Sequence, residues 1–269
     1  MKHLCDCHTH TWYSFDGCCN VEELCAAAAR QGLFAVAMTE HYDYAERGGT
    51  EHYTLRARQR LEEVRAAQQA WAGRVEVLCG IELGQPHLDP AVSRAFAASG
   101  DFDLVIGSLH DVRPGRDIYR DFAYETLEEC DAVYRQFFDE ARELVRVADV
   151  DVFGHYDYPL RLMDQCITRP TMERWKEQML PFLRDLAASG IALELNTTGL
   201  RRWMKRPAGE GWILQAFRDC GGRRVTIGSD AHHARDVGCG VRETCAILRE
   251  SGFDSVTIYR KRKPVQLSI

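Results

Sequence analysis

No stretch of this chain approaches eighteen consecutive apolar residues, the length that a membrane-spanning helix needs. Residues 1–15 carry no apolar run behind a basic start, so they do not read as a secretory leader. Basic charge is not in excess: 34 Lys and Arg face 40 Asp and Glu, a formal net charge of −6. That is the wrong sign for a general binder of nucleic-acid backbones or anionic membrane surfaces. A disulfide framework is missing as well. The eleven cysteines are odd in number and scattered through helical and strand-like segments, as reduced core thiols would be. Together these absences predict a cytoplasmic protein with no nucleic-acid or membrane partner; nothing in them fixes its oligomeric state. Cys5, Cys7, Cys18 and Cys19 lie close in sequence, but no second C-x-x-C pair completes four ligands. Strand alternation also puts Cys5 and Cys7 on the face opposite His8 and His10. Repeats, low-complexity tracts and linker-like segments are lacking too, so residues 1–269, at 45% hydrophobic and 28% charged, read as one domain with a substantial core. The one dense basic run, Arg260-Lys261-Arg262-Lys263, reads as a solvated chain end.

What the chain does have is alternation of apolar runs with amphipathic stretches. In "NVEELCAAAARQG", Asn20 reads as an N-cap with Glu23 as its reciprocal partner, and Gly32 lies past the helix end. The run "LFAVAMTEH" follows. Tyr53, Ala57, Leu61, Val64 and Trp71 then recur at three-, four- and seven-residue steps, a second helix. "RVEVLCGIELG", "FDLVIGSLH", "VDVFGHYDY", "IALELNTTG" and "RRVTIGSDAHH" continue the strands. Between them lie a short helix near 90–98, a long one whose face runs from Tyr124 through Leu127, Cys130, Tyr134, Phe137 and Leu144 to Ala148, one over 171–189 that Pro181 should kink or divide, and one near 210–220. Seven strands separated by helices predict an α/β fold with an all-parallel sheet. Polar groups at the C-terminal end of every strand favour a closed, TIM-like barrel, in which those ends meet at one mouth, over an open doubly wound sheet.

Six of the ten histidines, His8, His10, His41, His110, His155 and His232, fall at these strand ends, with Glu82 and Asp230. In "DCHTH" the two imidazoles are two residues apart, on one side of a strand. Unpaired imidazoles and carboxylates packed into one mouth would be costly, whereas a divalent ion neutralises carboxylates and uses the lone pairs of neutral imidazoles. A metal cluster at the C-terminal mouth is the economical reading.

Taken in order, "DCHTHT", "TEH", "GIELG", "GSLH", "FGHYD", "ELNTTGLR" and "GSDAHHARDVG" resemble the motifs of the polymerase-and-histidinol-phosphatase (PHP) family, from residue 6 to about 240. "ELNTTGLRR" and the tail "TIYRKRKPV" resemble its stand-alone histidinol-phosphatase branch. After Arg202 the chain departs, reading "WMKRPAGEGWIL" where that branch has a proline-serine segment. The resemblance implies a distorted seven-stranded (β/α)7 barrel and two or three divalent ions, zinc, manganese or iron. It carries metal-ligand roles onto His8, His10, Asp16, His41, Glu82, His110, His155, Asp230 and His232. Glu82, Asp230 and His232 become the catalytic candidates, with a carboxylate from Glu82 or Asp230 able to bridge two ions; His233 is a candidate acid for the leaving group. Asp6 reads as a carboxylate that orients an imidazole. Arg161 and Arg201 suit a phosphate, because a guanidinium fork matches phosphate oxygens, and Glu194 or Asp43 suits a cationic group. The implied reaction is hydrolysis of the small phosphate ester L-histidinol phosphate in histidine biosynthesis. The alternatives are a PHP-type phosphoesterase or nuclease acting on another small phosphomonoester or nucleotide, an amidohydrolase barrel, and a non-catalytic metal-binding module. Amidohydrolases usually present a carboxylated lysine where this chain has His110.

Reduced, structural cysteines carry a direct consequence. Thiol titration of denatured protein, prepared without reductant and protected from air, should find all eleven cysteines free; a reproducible set of native disulfides would contradict the reading.

Overall fold

A computed structural model describes residues 3–43, 49–113 and 115–269. The alternation read from the sequence becomes β1 (Cys5–Thr9), α1 (Val21–Arg30), β2 (Ala35–Asp43), α2 (Gly49–Ala70), β3 (Glu76–Gly84), α3 (Pro90–Ala98) and β4 (Leu104–Ser108). A small antiparallel pair, β5 (Asp111–Val112) and β6 (Arg116–Asp117), precedes α4 (Leu127–Val147). Then come β7 (Val152–Phe153), α5 (Lys176–Ser189), β8 (Ala192–Asn196), α6 (Gly211–Asp219), β9 (Val225–Gly228) and α7 (Val241–Glu250). Seven strands are parallel neighbours in the order β1-β2-β3-β4-β7-β8-β9, as short βα connections require. The circle closes only near its top, where His10 N donates to Ala231 O and Asp230 N to His8 O, both at 2.8 Å. The result is a nearly closed, TIM-like barrel.

Local expectations hold where the signal is local. Asn20 accepts from Glu23 N at 2.8 Å and Glu23 returns a bond to Asn20 N at 2.9 Å, the reciprocal cap of α1. On α2, Val64 is buried and Ala57 and Leu61 pack against the core, and Trp71, one residue past the helix end, is buried too; the side chain of Tyr53 lies outside the described residues. Two boundaries differ. Tyr124 is not on α4: it has a positive φ of 56°, its hydroxyl donates to Ile118 O at 2.6 Å, and Thr126 caps the helix. Pro181 lies inside a continuous α5, while the division of the 171–189 segment falls earlier, where a 3-10 turn at Met172–Trp175 runs into α5.

Alternate residues of each strand build the barrel interior. Its lower half is apolar, with Cys5, Cys7, Ala35, Ala37, Leu78, Leu104, Ile106, Val152 and Ala192 in one cluster. The next inward positions are Glu82 above Leu78, His110 two places beyond Ser108 and Glu194 above Ala192. In β1 the side chains do not obey the simple alternation expected for them. The pairing of β1 with β2 shifts register between Asp6 and Thr9, so Cys7 belongs to the inner apolar cluster while His8 also points inward, 2.6 Å from Glu194. Such a shift re-aims a side chain at the cost of one ladder step.

The basic tail is not a solvated end. β10 (Ser255–Arg260) and β11 (Lys263–Ser268) form an antiparallel hairpin whose Ile258 and Tyr259 join the inner apolar cluster, closing the barrel floor. Its turn is spelled by Lys261 and Arg262, both at positive φ, 49° and 62°, the left-handed pair that a tight hairpin turn needs. Their backbone amides donate to Asp103, at Oδ1 from Lys261 and at the carbonyl from Arg262. Arg262 grips Asp151 through two bonds of 2.9 and 3.1 Å, and Arg260 pairs with Glu76. Arg260 and Arg262 therefore face carboxylates at the N-terminal ends of β3 and β7, while Lys261 and Lys263 are exposed. Arg262→Ala should cost about 2 kcal/mol, since charge-assisted hydrogen bonds to a mostly buried carboxylate are lost; a lower urea midpoint at unchanged m-value reads it.

Candidate metal centre

Glu82 is fully buried at the inner end of β3, and the imidazoles gather around its two oxygens. Oε2 lies 3.2 Å from His8 Nε2, 3.5 Å from His10 Nε2 and 2.9 Å from His41 Nδ1. Oε1 lies 2.9 Å from His155 Nε2 and 3.3 Å from His110 Nε2, and Ser108 Oγ donates to it at 2.6 Å. Asp230, held at a positive φ of 55°, turns Oδ1 towards His10 Nε2 at 3.5 Å and His232 Nδ1 at 3.8 Å. Asp16, on the exposed turn after β1, reaches His41 Nε2 at 3.6 Å and His232 Nε2 at 3.2 Å. All nine residues singled out as ligands thus meet at one mouth.

Hydrogen bonding fixes which ring nitrogens carry lone pairs. His8 Nδ1 lies 2.6 Å from Glu194 and His110 Nδ1 2.9 Å from Asp43; a carboxylate only accepts, so both Nδ1 atoms are protonated and both Nε2 atoms face the cluster. Yet His8 Nε2 sits 3.1 Å from His10 Nε2, and His110 Nε2 sits 3.4 Å from His155 Nε2. Lone pairs facing each other at that range repel unless a proton or a metal ion lies between them. Glu82 Oε2 and His41 Nδ1, 2.9 Å apart, and His232 Nε2, 3.2 Å from Asp16, are buried in close polar contact without the alignment of a hydrogen bond, as atoms aimed at a common ion would be. Triads such as His8–His10–Glu82, Glu82–His110–His155 and His10–His41–His232 each bring three ligand atoms within 4.8 Å of one another. The donor set, imidazole with carboxylate, suits zinc, manganese or iron.

The electrostatics agree. Burial opposes ionisation of Glu82, but His8, His41 and His110 hold its carboxyl well below the usual range. Burial also opposes charge on His8, and Glu194, Glu82 and Asp230 overcome it, raising its pKa well above the ordinary histidine value. His10 goes the other way: burial, with His41 and His232 beside it, pushes it down to about 3. A site that charges some imidazoles and discharges others has an appetite for positive charge that protons satisfy incompletely.

Several readings need revision. Glu194 does not face the cavity: its oxygens are taken by His8 Nδ1, by His155 N at 2.6 Å and by Asn196 Nδ2 at 3.2 Å. It backs two imidazole positions rather than awaiting a cationic group. Asp6 touches no imidazole ring. It accepts from Ser229 N and Gly238 N at 2.8 Å and from Ser229 Oγ at 2.5 Å, pinning the backbone next to Asp230. His233 is not part of the cavity wall. Asp43 does line the cavity while backing His110. Sequence reading missed Ser108, although it lies two residues before His110 on the same side of the chain. It also missed Asp157, which grips Arg161 through bonds of 2.8 and 3.1 Å.

Above the cluster opens a cavity of about 720 Å³, lined by Phe15, Tyr119, Tyr158 and Leu162 and by Arg120, Arg161, Arg201, Arg202 and Arg235. These five arginines share the wall with five aspartates, Asp16, Asp43, Asp117, Asp230 and Asp236, so the mouth mixes both signs of charge. Arg161 is buried, with Nη1 3.0 Å from Asp230 Oδ2. Arg201 donates to Thr198 Oγ1, Ser229 O and Asp230 O, and its Nη1 is buried without a partner.

The PHP domain model matches residues 6–198, most of the chain. The chain belongs to the PHP domain family. A probable histidinol-phosphatase of Deinococcus radiodurans is 28% identical over 277 residues, covering 98% of this chain and 100% of that protein. A probable histidinol-phosphatase of Thermotoga maritima is 24% identical, over 96% and 97% of the two chains. Among solved structures, histidinol phosphate phosphatase from Lactococcus lactis, complexed with zinc, L-histidinol and phosphate, superposes with a TM-score of 0.79 at 22% identity, covering 97% of this chain and 98% of that one. The shared architecture is the PHP barrel.

Because Glu194 holds the His8 ring by a short charged bond, Glu194→Gln should weaken metal retention ~10–100-fold, the usual consequence of disturbing a residue that orients a ligand. Competition with a chromophoric chelator measures it; unchanged retention would remove Glu194 from the centre.

Proposed function

We propose that this chain hydrolyses L-histidinol phosphate to L-histidinol and phosphate, with two or three divalent ions, zinc among them, as its cofactors. The observation that carries the reading is Glu82: one buried carboxylate whose two oxygens each face separate groups of imidazoles, so that it would serve two ion positions. His8, His10, Glu82 and Asp230 would hold one ion, Glu82, His110 and His155 a second, and Asp16, His41 and His232 a third. Divalent ions bound there supply the acidity that lowers the pKa of water from 15.7 towards ~7 and the charge that offsets the phosphate dianion.

The protein's own part is placement. Asp157 fixes the Arg161 guanidinium, which in turn fixes Asp230. Three of the five N–H donors of Arg161 are used in these bonds, which leaves two for a phosphate oxygen. Arg201, with its unpartnered Nη1, supplies a further donor. Phe15, Tyr119 and Tyr158 form an aromatic part of the cavity wall, and Asp43, which lines the cavity behind His110, is a carboxylate suited to a cationic nitrogen. Small molecules are the expected partners: the chain carries a net charge of −6, the wrong sign for a general binder of nucleic-acid backbones or anionic membranes.

A phosphatase panel on zinc- and manganese-reconstituted protein tests this. Chelation should abolish turnover and metal should restore it. Arg201→Ala should lower kcat/KM ~10–100-fold, the worth of one charge-assisted hydrogen bond. Activity that persists without metal sinks the mechanism. The five arginines would equally welcome a more highly charged ester, so nucleotides and sugar phosphates belong in the panel; a nucleotide preferred more than ~10-fold, well over 1 kcal/mol, would favour a PHP phosphoesterase of another specificity.

A further inference from the structure

Two residues outside the ligand set are joined to it by hydrogen bonds. Glu40 is 0% exposed and Ser14 2% exposed. Glu40 accepts from Thr11 N at 3.0 Å, Thr11 Oγ1 at 2.8 Å and Ser14 Oγ at 2.7 Å. Ser14 Oγ also lies 2.9 Å from His10 Nδ1 and accepts from His41 N at 3.1 Å. A hydroxyl has one hydrogen to give, and the carboxylate can only accept, so that hydrogen goes to Glu40. The Oγ lone pairs then accept from His41 N–H and from His10 Nδ1–H. His10 is left with its Nε2 lone pair facing Glu82 and Asp230, each at 3.5 Å.

The same carboxylate anchors the turn that carries Asp16. Thr11 and Ser14 are both bonded to it, Ser14 N donates to Thr11 O at 2.9 Å, and Gly17 N to Ser14 O at 3.3 Å. Gly17 is pressed so closely on this turn that a Cβ there would stand 1.9 Å from Thr11 O. Glu194 and Asp43 each touch one imidazole directly. Glu40 works at one remove and reaches two strands and a turn at once.

We infer that Glu40, acting through the Ser14 hydroxyl, is a positioning residue that sets the tautomer of His10 and the place of Asp16, and so governs how firmly the outer part of the centre holds its ion. The inference rests on the metal-centre reading given above. Glutamine at position 40 offers one oxygen where three donors converge, so either the turn loosens or the Ser14 hydroxyl reverses and His10 takes its proton on Nε2.

The test uses full-length zinc-loaded protein: wild type, Glu40→Gln and Ser14→Ala. Zinc per chain is counted after gel filtration, and release is timed against a chelator. Both variants should keep the wild-type circular dichroism yet hold at least one zinc per chain ~10–100-fold more weakly. Wild-type zinc content and release in both would overturn the inference alone; wild-type protein that holds no zinc would overturn the metal-centre reading with it. A second measurement needs no variant. Long-range 1H–15N correlation spectra of the zinc-loaded wild type, with histidine labelled, should show His10 protonated at Nδ1, and protonation at Nε2 would overturn the inference even if the variants fail to fold.

Discussion

The arrangement depends on the cost of burying charge. A carboxylate taken out of water costs several kcal/mol unless opposite charge and hydrogen bonds meet it, and Glu82 sits at the centre of the barrel mouth with no exposure. Everything around it answers that constraint. Imidazoles approach both oxygens, Ser108 donates to one of them, and carboxylates one layer further out, Glu194 and Asp43, polarise the imidazoles from behind. Positive charge in the centre and negative charge in the shell behind it stabilise each other, and neither layer stands alone.

The barrel makes that possible by dividing its interior lengthwise. Small and apolar side chains fill the lower half, the C-terminal hairpin closes the floor, and the ligand-bearing positions are pushed to the open end. The Asp230 backbone is held in the left-handed region, a conformation that costs of order 1 kcal/mol for a residue with a side chain. It persists because Asp6 ties down Ser229 and Gly238 on either side of it. Strain at the mouth is offset by bonds made just outside it.

How much of this was legible in the sequence follows from the range of each interaction. Local signals read well: the Asn20–Glu23 cap, the strand runs ending in His41, His110 and His155, and the i, i+2 spacing of His8 and His10. These depend on periodicity alone. What failed depended on partners far along the chain. Asp6 binds residues more than 220 positions away, Glu194 meets His8 across 186 positions, and the basic run at 260–263 finds its carboxylates on two other strands. A charged residue inside an apolar run is a visible anomaly, as at Glu40, Glu82 and Glu194. Whether it holds an ion or a neighbouring ring is decided by three-dimensional closeness. The register shift in β1 has no sequence signature of its own, and it reversed the expected facing of Cys7.

The strands are unequal, and that has a mechanical side. β2 and β3 share nine paired positions, whereas β7 meets each of its neighbours through two, and β9 meets β1 through a single bridge between Thr9 and Ala231. The wall is therefore two arcs joined by thin seams. His155 lies just beyond one seam, and His8, His10 and Asp230 flank the other. An ion shared between residues on both arcs would act as a rivet across joints that backbone pairing leaves weak. By mass action, an ion held there would make opening at those joints rarer as free metal rises, and the closed barrel would then depend on the metal supply around it.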